Sequence, residues 1–137
     1  MNTYTFKQIA VGMSEEFTKT ITDQDVKQFT QLSGDTNPLH TNTVYAKTTT
    51  FEKPVIHGML LSSYLSTLVG MHLPGKHALF MGANIQFKQP CYENDTITIQ
   101  GKVIQKIEAT HMILIDATIA TKTHTVLKAT LHVKVLQ

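Results

Sequence analysis

Two hydrophobic periods divide the chain. Up to His72 the apolar residues recur mostly at helical spacing, and beyond it they alternate. A short stretch at the start breaks that division. Glu16 to Ile21 (Glu-Phe-Thr-Lys-Thr-Ile) alternates weakly and predicts a strand. Thr22 has the chemistry of a helix N-cap, with Asp25 three residues on completing an approximate capping box. The helix that follows places Val26, Phe29 and Leu32 on one face and stops at Gly34. Asp35 to His40 reads as a turn. Asn42 is placed to cap a brief helical segment through Tyr45 and Ala46, and the polar run Lys47 to Lys53 is a loop that Pro54 ends.

From Gly58 to His72 the side chains are apolar or small on nearly every side, with no carboxylate or lysine. A helix apolar all round is a buried one, and Pro74-Gly75 ends it. The period then changes. Leu79, Met81, Ala83, Ile85 and Phe87 alternate with polar residues, as do Ile97 and Ile99. Further strands run from Thr110 to Thr121 and from Thr125 to Leu136, with turns at Pro90 to Asp95 and Lys122 to His124. The order is one strand, then helices, then a meander of four strands. That order predicts an α+β fold: an antiparallel five-stranded sheet wrapped around one long helix, in a single domain over residues 1–137.

Composition narrows the function. At 137 residues the chain can bury a real core, and no apolar run is long enough to span a membrane. The start, Met1 to Glu16, is polar and does not read as a signal peptide, and Cys91 is the only cysteine, so the expected location is the cytoplasm. All twelve basic residues are lysines, and they are scattered. Without arginine the chain lacks bidentate guanine readout and Arg–phosphate forks, which argues against nucleic-acid binding.

The candidate chemistry lies between Gly34 and Leu61. Asp35 and His40 flank Asn37-Pro38, where proline fixes φ and pushes Asn37 toward an extended conformation. A carboxylate and an imidazole held on such a turn can share one water, one group taking its proton while the other orients it. Alternatively, Asp35 caps the preceding turn and His40 is a satisfied polar residue. Downstream, His57-Gly58 opens the apolar helix, whose first amides have no helical partners and can stabilise an oxyanion. Here too a structural reading stands: Gly58 relieves crowding and His57 is an N-cap. The other histidines show no metal-ligand spacing, and no metal site is expected. Ser62, Ser63 and Ser66 read as small packing residues of the helix.

Phe29 to Ala46, with Ser-Gly-Asp-Thr-Asn-Pro-Leu-His at its centre, resembles the hydratase-2 motif of the MaoC-like hot-dog proteins, and within them the (R)-specific enoyl-CoA hydratases. The resemblance continues through Thr50 to Leu61, Leu73 to Lys76 and Phe87 to Pro90. It implies a hot-dog fold and a homodimer. It places Asp35 and His40 as the catalytic pair on the supporting turn Asn37-Pro38, and Gly58 as the oxyanion-hole amide that polarises a thioester carbonyl. Ser66 and His57 fall at acyl-pocket positions. The activity implied is syn addition of water to a trans-2-enoyl-CoA, giving the (R)-3-hydroxyacyl-CoA. No cofactor is needed, coenzyme A being part of the substrate.

Two rivals differ in class. A hot-dog acyl-CoA thioesterase would bind the same substrate, but many place their carboxylate on the central helix, and Gly58 to His72 has none. A non-catalytic acyl-thioester-binding subunit would have no use for the Asp35/His40 pair.

Overall fold

The computed structural model describes residues 1–137. Strand β1 (Ser14–Thr20) leads into helix α1 (Asp23–Ser33), two one-turn helices α2 (Pro38–Thr41) and α3 (Thr43–Ala46), and helix α4 (Gly58–Thr67). Strands β2 (Ala78–Phe87), β3 (Thr96–Ile107), β4 (Met112–Ala120) and β5 (Thr125–Val135) complete an α+β chain. One antiparallel sheet of five strands, ordered β1-β3-β4-β5-β2, packs against α4.

The core follows from the alternation read in the sequence. Ile97, Ile99 and Val103 of β3, Ile113, Ile115 and Ile119 of β4, and Leu127, Leu131 and Val133 of β5 are fully buried. Against them lie Leu61, Leu65, Leu68 and Val69. Burying a side chain of this size contributes ~1.5–3 kcal/mol, so this layer dominates the stability of the fold. Gly101 of β3 marks the closest approach: a Cβ there would sit 2.7 Å from Leu68 Cδ2. Bare backbone at that point lets the helix rest on the sheet.

Three expectations are corrected. First, only β3, β4 and β5 form a meander. Both edges of β3 are filled, by β1 and β4, so β2 finds its open hydrogen-bonding edge on β5, with Ala83 opposite Leu131. Second, the alternating face of β2 is covered only in part, at Ile85. Leu79, Met81 (57 % exposed) and Phe87 (53 %) stand in solvent, and the register shifts between Phe80 and Gly82. Third, the long helix is neither uniform nor buried all round. Leu68–His72 form a π-turn, and Met59 (63 % exposed) and Met71 face outward. Leu32 likewise projects from α1 into solvent, while Val26 and Phe29 pack on the core.

Two short attachments set where α4 begins. Val55 N–H donates to the Leu39 carbonyl at 3.1 Å, and Ile56 N–H to the Cys91 carbonyl at 2.8 Å. The residues before the helix are thereby held between α2 and the loop after β2. At the other side, α1 delivers the chain to Asp35 from a complete capping box: Thr22 Oγ1 accepts from Asp25 N–H at 3.2 Å, and Asp25 Oδ2 from Thr22 N–H at 2.9 Å. The Thr22 amide holds the Asp25 carboxyl below its ordinary value, helped by Lys19. A depressed carboxyl contributes stability at neutral pH, and that share is lost as pH falls through its folded-state value. Thr22→Ala should therefore cost ~1 kcal/mol in urea unfolding, and Asp25→Asn should flatten the acid limb of the stability profile. Unchanged midpoints in both variants would show that the box anchors nothing.

Candidate active site

The turn after α1 is built almost wholly from its own side chains. Gly34 takes the left-handed conformation (φ 75°) and closes α1 on the Thr30 carbonyl. Ser33 Oγ accepts from Asp35 N–H (3.2 Å), Asp35 Oδ1 from Asn37 N–H (3.2 Å) and Asn37 Oδ1 from Leu39 N–H (2.9 Å). Pro38 occupies the first helical position of α2, where a missing amide hydrogen costs nothing. Asn37 (φ −49°, ψ 128°) lies outside the helical region, as a residue before proline should. The difference from the sequence reading is that His40 sits on a one-turn helix rather than in the turn itself.

That helix points His40 at a fixed acceptor. His40 Nδ1 lies 2.6 Å from the Val55 carbonyl oxygen, which can only accept, so Nδ1 carries the hydrogen. In the neutral ring Nε2 is then a free lone pair. Val55 was invisible as a functional residue in the sequence because it acts through its backbone oxygen.

His57 is buried (1 % exposed) and does not play the capping role expected of it. It stands at the N-cap position of α4, yet its side chain makes no capping bond. Instead Nε2–H donates to the Asp35 carbonyl at 3.0 Å, spanning 22 residues. The ring stacks on His40 (centroids 4.1 Å, planes 28° apart) and meets Phe29 edge-on. Its Nδ1 is buried with no partner, a deficit of about 1–3 kcal/mol.

Asp35, His40 and His57 each offer an atom within 4.8 Å of the others. This donor set does not suit a metal ion. Imidazole lone pairs lie in the ring planes, and planes so near parallel and 4.1 Å apart do not meet within a bond length of ~2.1 Å.

The first helical bond of α4 is Leu61 N–H to the His57 carbonyl, which leaves the Gly58, Met59 and Leu60 amides without helical acceptors. Gly58 and Met59 line a cavity of about 450 Å³, together with Asp35, His40, His57, Leu61 and Phe87. A Cβ on Gly58 would fall 2.7 Å from Phe87 Cζ, the far end of a half-exposed ring that would have to move. The structure thus brings Asp35, His40, His57 and Gly58 to one place and leaves Ser66 out: it is exposed on α4, away from this lining. Ser62 and Ser63 hydroxyls are spent on the Gly58 and Leu60 carbonyls. Phe87 and Cys91 were missed. Phe87 read as one more apolar strand residue, and Cys91 only as the single cysteine, because their approach to Gly58 and the cavity depends on the path after β2.

Comparison with known proteins identifies the family and the fold. Residues 6–126 match the family described as MaoC like domain. Over 97 residues, 71 % of this chain and 72 % of the relative, it is 39 % identical to an (R)-specific enoyl-CoA hydratase of Aeromonas caviae. A second (R)-specific enoyl-CoA hydratase, of Rhodospirillum rubrum, is 41 % identical over 68 % of this chain and 65 % of its own length. Among solved structures, the (R)-hydratase of A. caviae superposes with a TM-score of 0.90 at 33 % identity, covering 94 % of this chain and 98 % of that one. An R-hydratase from Pseudomonas aeruginosa also gives 0.90, at 25 % identity over 96 % and 84 % of the two chains. These neighbours share the hot-dog fold.

The cavity wall also carries the one thiol. Burial, with Asp95 beside it, pushes Cys91 up to about 12. A thiol raised this far is essentially all protonated at pH 8. Iodoacetamide at pH 8 should label Cys91 only after unfolding, as read by mass spectrometry. Rapid labelling of the folded protein would contradict that burial.

Proposed function

The chain belongs to the MaoC-like domain family, and from that premise we propose that it is an (R)-specific enoyl-CoA hydratase. The observation that carries this reading is the joint placement of Asp35, His40 and the free Gly58 amide on one cavity. The thioester carbonyl accepts a hydrogen bond from Gly58 N–H, backed by the dipole of α4. Charge drawn toward that oxygen makes C3 of the trans-2-enoyl group electrophilic. His40 Nε2, kept free by the Val55 carbonyl, takes a proton from water while the Asp35 carboxylate orients it. The water oxygen bonds to C3, the C2–C3 π electrons move onto the enolate, and the proton passes to C2 as the thioester re-forms. One water held between two groups supplies both atoms to one face, which supports syn addition and the (R)-3-hydroxyacyl product.

No cofactor enters this scheme, coenzyme A being part of the substrate. Thioester hydrolysis is disfavoured because α4 brings no carboxylate to the cavity. An acyl-binding role would not need Asp35 and His40 beside free oxyanion donors. Action in the cytoplasm belongs to the same reading. No helix is long and apolar enough to cross a membrane.

We also propose a homodimer. Strand β2 is an edge of ten residues whose Leu79, Met81 and Phe87 are exposed, and Met59 and Met71 of the helical segment are exposed as well. A long apolar edge left open invites pairing with another strand. A second copy meeting β2 with β2 would cover it.

General acid–base help is worth about 10²–10⁴ in rate, so Asp35→Asn and His40→Gln should nearly abolish hydration of crotonyl-CoA, followed at the enoyl-thioester band, with unchanged circular dichroism. Substantial turnover in either variant would sink the catalytic assignment. Light scattering should give twice the chain mass, and Met81→Glu should shift the protein toward monomer. A wild-type protein that runs as a monomer at micromolar concentration would refute the dimer.

A further inference from the structure

Among the buried polar side chains, His57 is the one whose contacts no role described so far accounts for. It does not cap α4. Metal ligation does not suit its ring, which lies nearly parallel to that of His40. The ring uses Nε2 and leaves Nδ1 buried and unpartnered. What the ring does make is two contacts with the two residues that must meet at one water. Nε2–H holds the Asp35 carbonyl at 3.0 Å, and the face of the ring lies on His40 at 4.1 Å.

These contacts act on different freedoms. Asp35 is exposed and follows a left-handed glycine; the Val55–Leu39 bond holds the chain beyond the loop, and within it Asp35 has only local bonds besides the one from His57. The His57 bond ties that loop to the first residue before α4, which the Ile56–Cys91 bond already fixes. His40 is anchored at Nδ1 by Val55, which leaves rotation of the ring about that bond, and a flat neighbour on one face blocks it. We propose that His57 is a positioning residue for hydration: it locks the Asp35 backbone and the plane of His40 to the helix end that carries the Gly58 amide. The assignment rests on the hydratase reading above. A misplacement of about 1 Å is enough to cost ~10²-fold in rate.

The two side-chain amides separate this role from a purely structural one. The Gln amide nitrogen reaches the place of histidine Nε2, while that of Asn, one methylene shorter, reaches only as far as Nδ1. Both amides lack the aromatic face, so the pair isolates the Asp35 link. His57→Asn should lower kcat for crotonyl-CoA by ~10²-fold with KM changed less than about threefold. His57→Gln should recover at least about tenfold of that loss. His57→Phe keeps the face and removes the donor, and its kcat should also fall below that of His57→Gln. Folded fractions come from circular dichroism of each variant, and kcat is expressed per folded molecule. Equal kcat for the Asn and Gln variants, or a loss that disappears on that correction, would overturn the positioning role. Absence of hydration by the wild-type protein would instead overturn the hydratase reading itself.

Discussion

The contact between α4 with its π-turn and the bare backbone of Gly101 is the constraint on which the rest depends. Leu65 and Leu68 are fully buried there, among the isoleucines of β3 and β4. Because the helix is held along its length by the largest apolar layer of the molecule, its first residue is as well placed as its middle. That precision is what chemistry at a helix N-terminus requires. An amide donor that wanders by an ångström loses most of its effect on a developing oxyanion.

Around that fixed end the candidate site is assembled from parts that are individually ordinary. An Asx-Pro turn, a one-turn helix and a glycine at a helix start occur in many proteins for structural reasons. What makes them a site is that their loose ends are tied to each other. Val55 and Ile56 bond to Leu39 and Cys91, His40 bonds to Val55, and His57 bonds to Asp35. Polar backbone that would otherwise be unsatisfied thereby sets the tautomer of one histidine and the location of one carboxylate. The unpartnered Nδ1 of His57 is a local cost of that arrangement, and the helix–sheet core offsets it.

The exposed apolar residues of β2 and of the helical segment give the same core a second consequence. A sheet of five strands covers one side of a helix, and Met59 and Met71 lie on the side it does not reach. Strand β2, at the edge, has its β5-facing hydrogen bonds filled and its other side open. A single copy of this chain therefore satisfies its interior and leaves an apolar margin next to the cavity.

Much was legible in the sequence because it is encoded locally. The capping box at Thr22 and Asp25, the stop at Gly34, the cap at Asn42, and the alternation of Ile97 and Ile99 in β3 are decided by residues within a few positions of one another. The motif around Asp35 and His40 was legible for the same reason, along with the free amides that follow His57. Strand neighbours were not. Periodicity tells which side chains share a face but carries nothing about which strand lies alongside, so β2 went to β5 once β1 and β4 had filled both edges of β3. The burial of Leu32, Met59 and Met81 was misjudged because each is apolar and in phase, and only the reach of the sheet decides whether a face is covered. The work of His57 was hidden for a related reason. It depends on a carbonyl 22 residues away and on a ring brought alongside it by a one-turn helix, and long-range distances of that kind exist only once the chain has folded. By itself the sequence determined which groups could do the chemistry. The tertiary structure decided how they are held, because separate loops meet only where α4 ends.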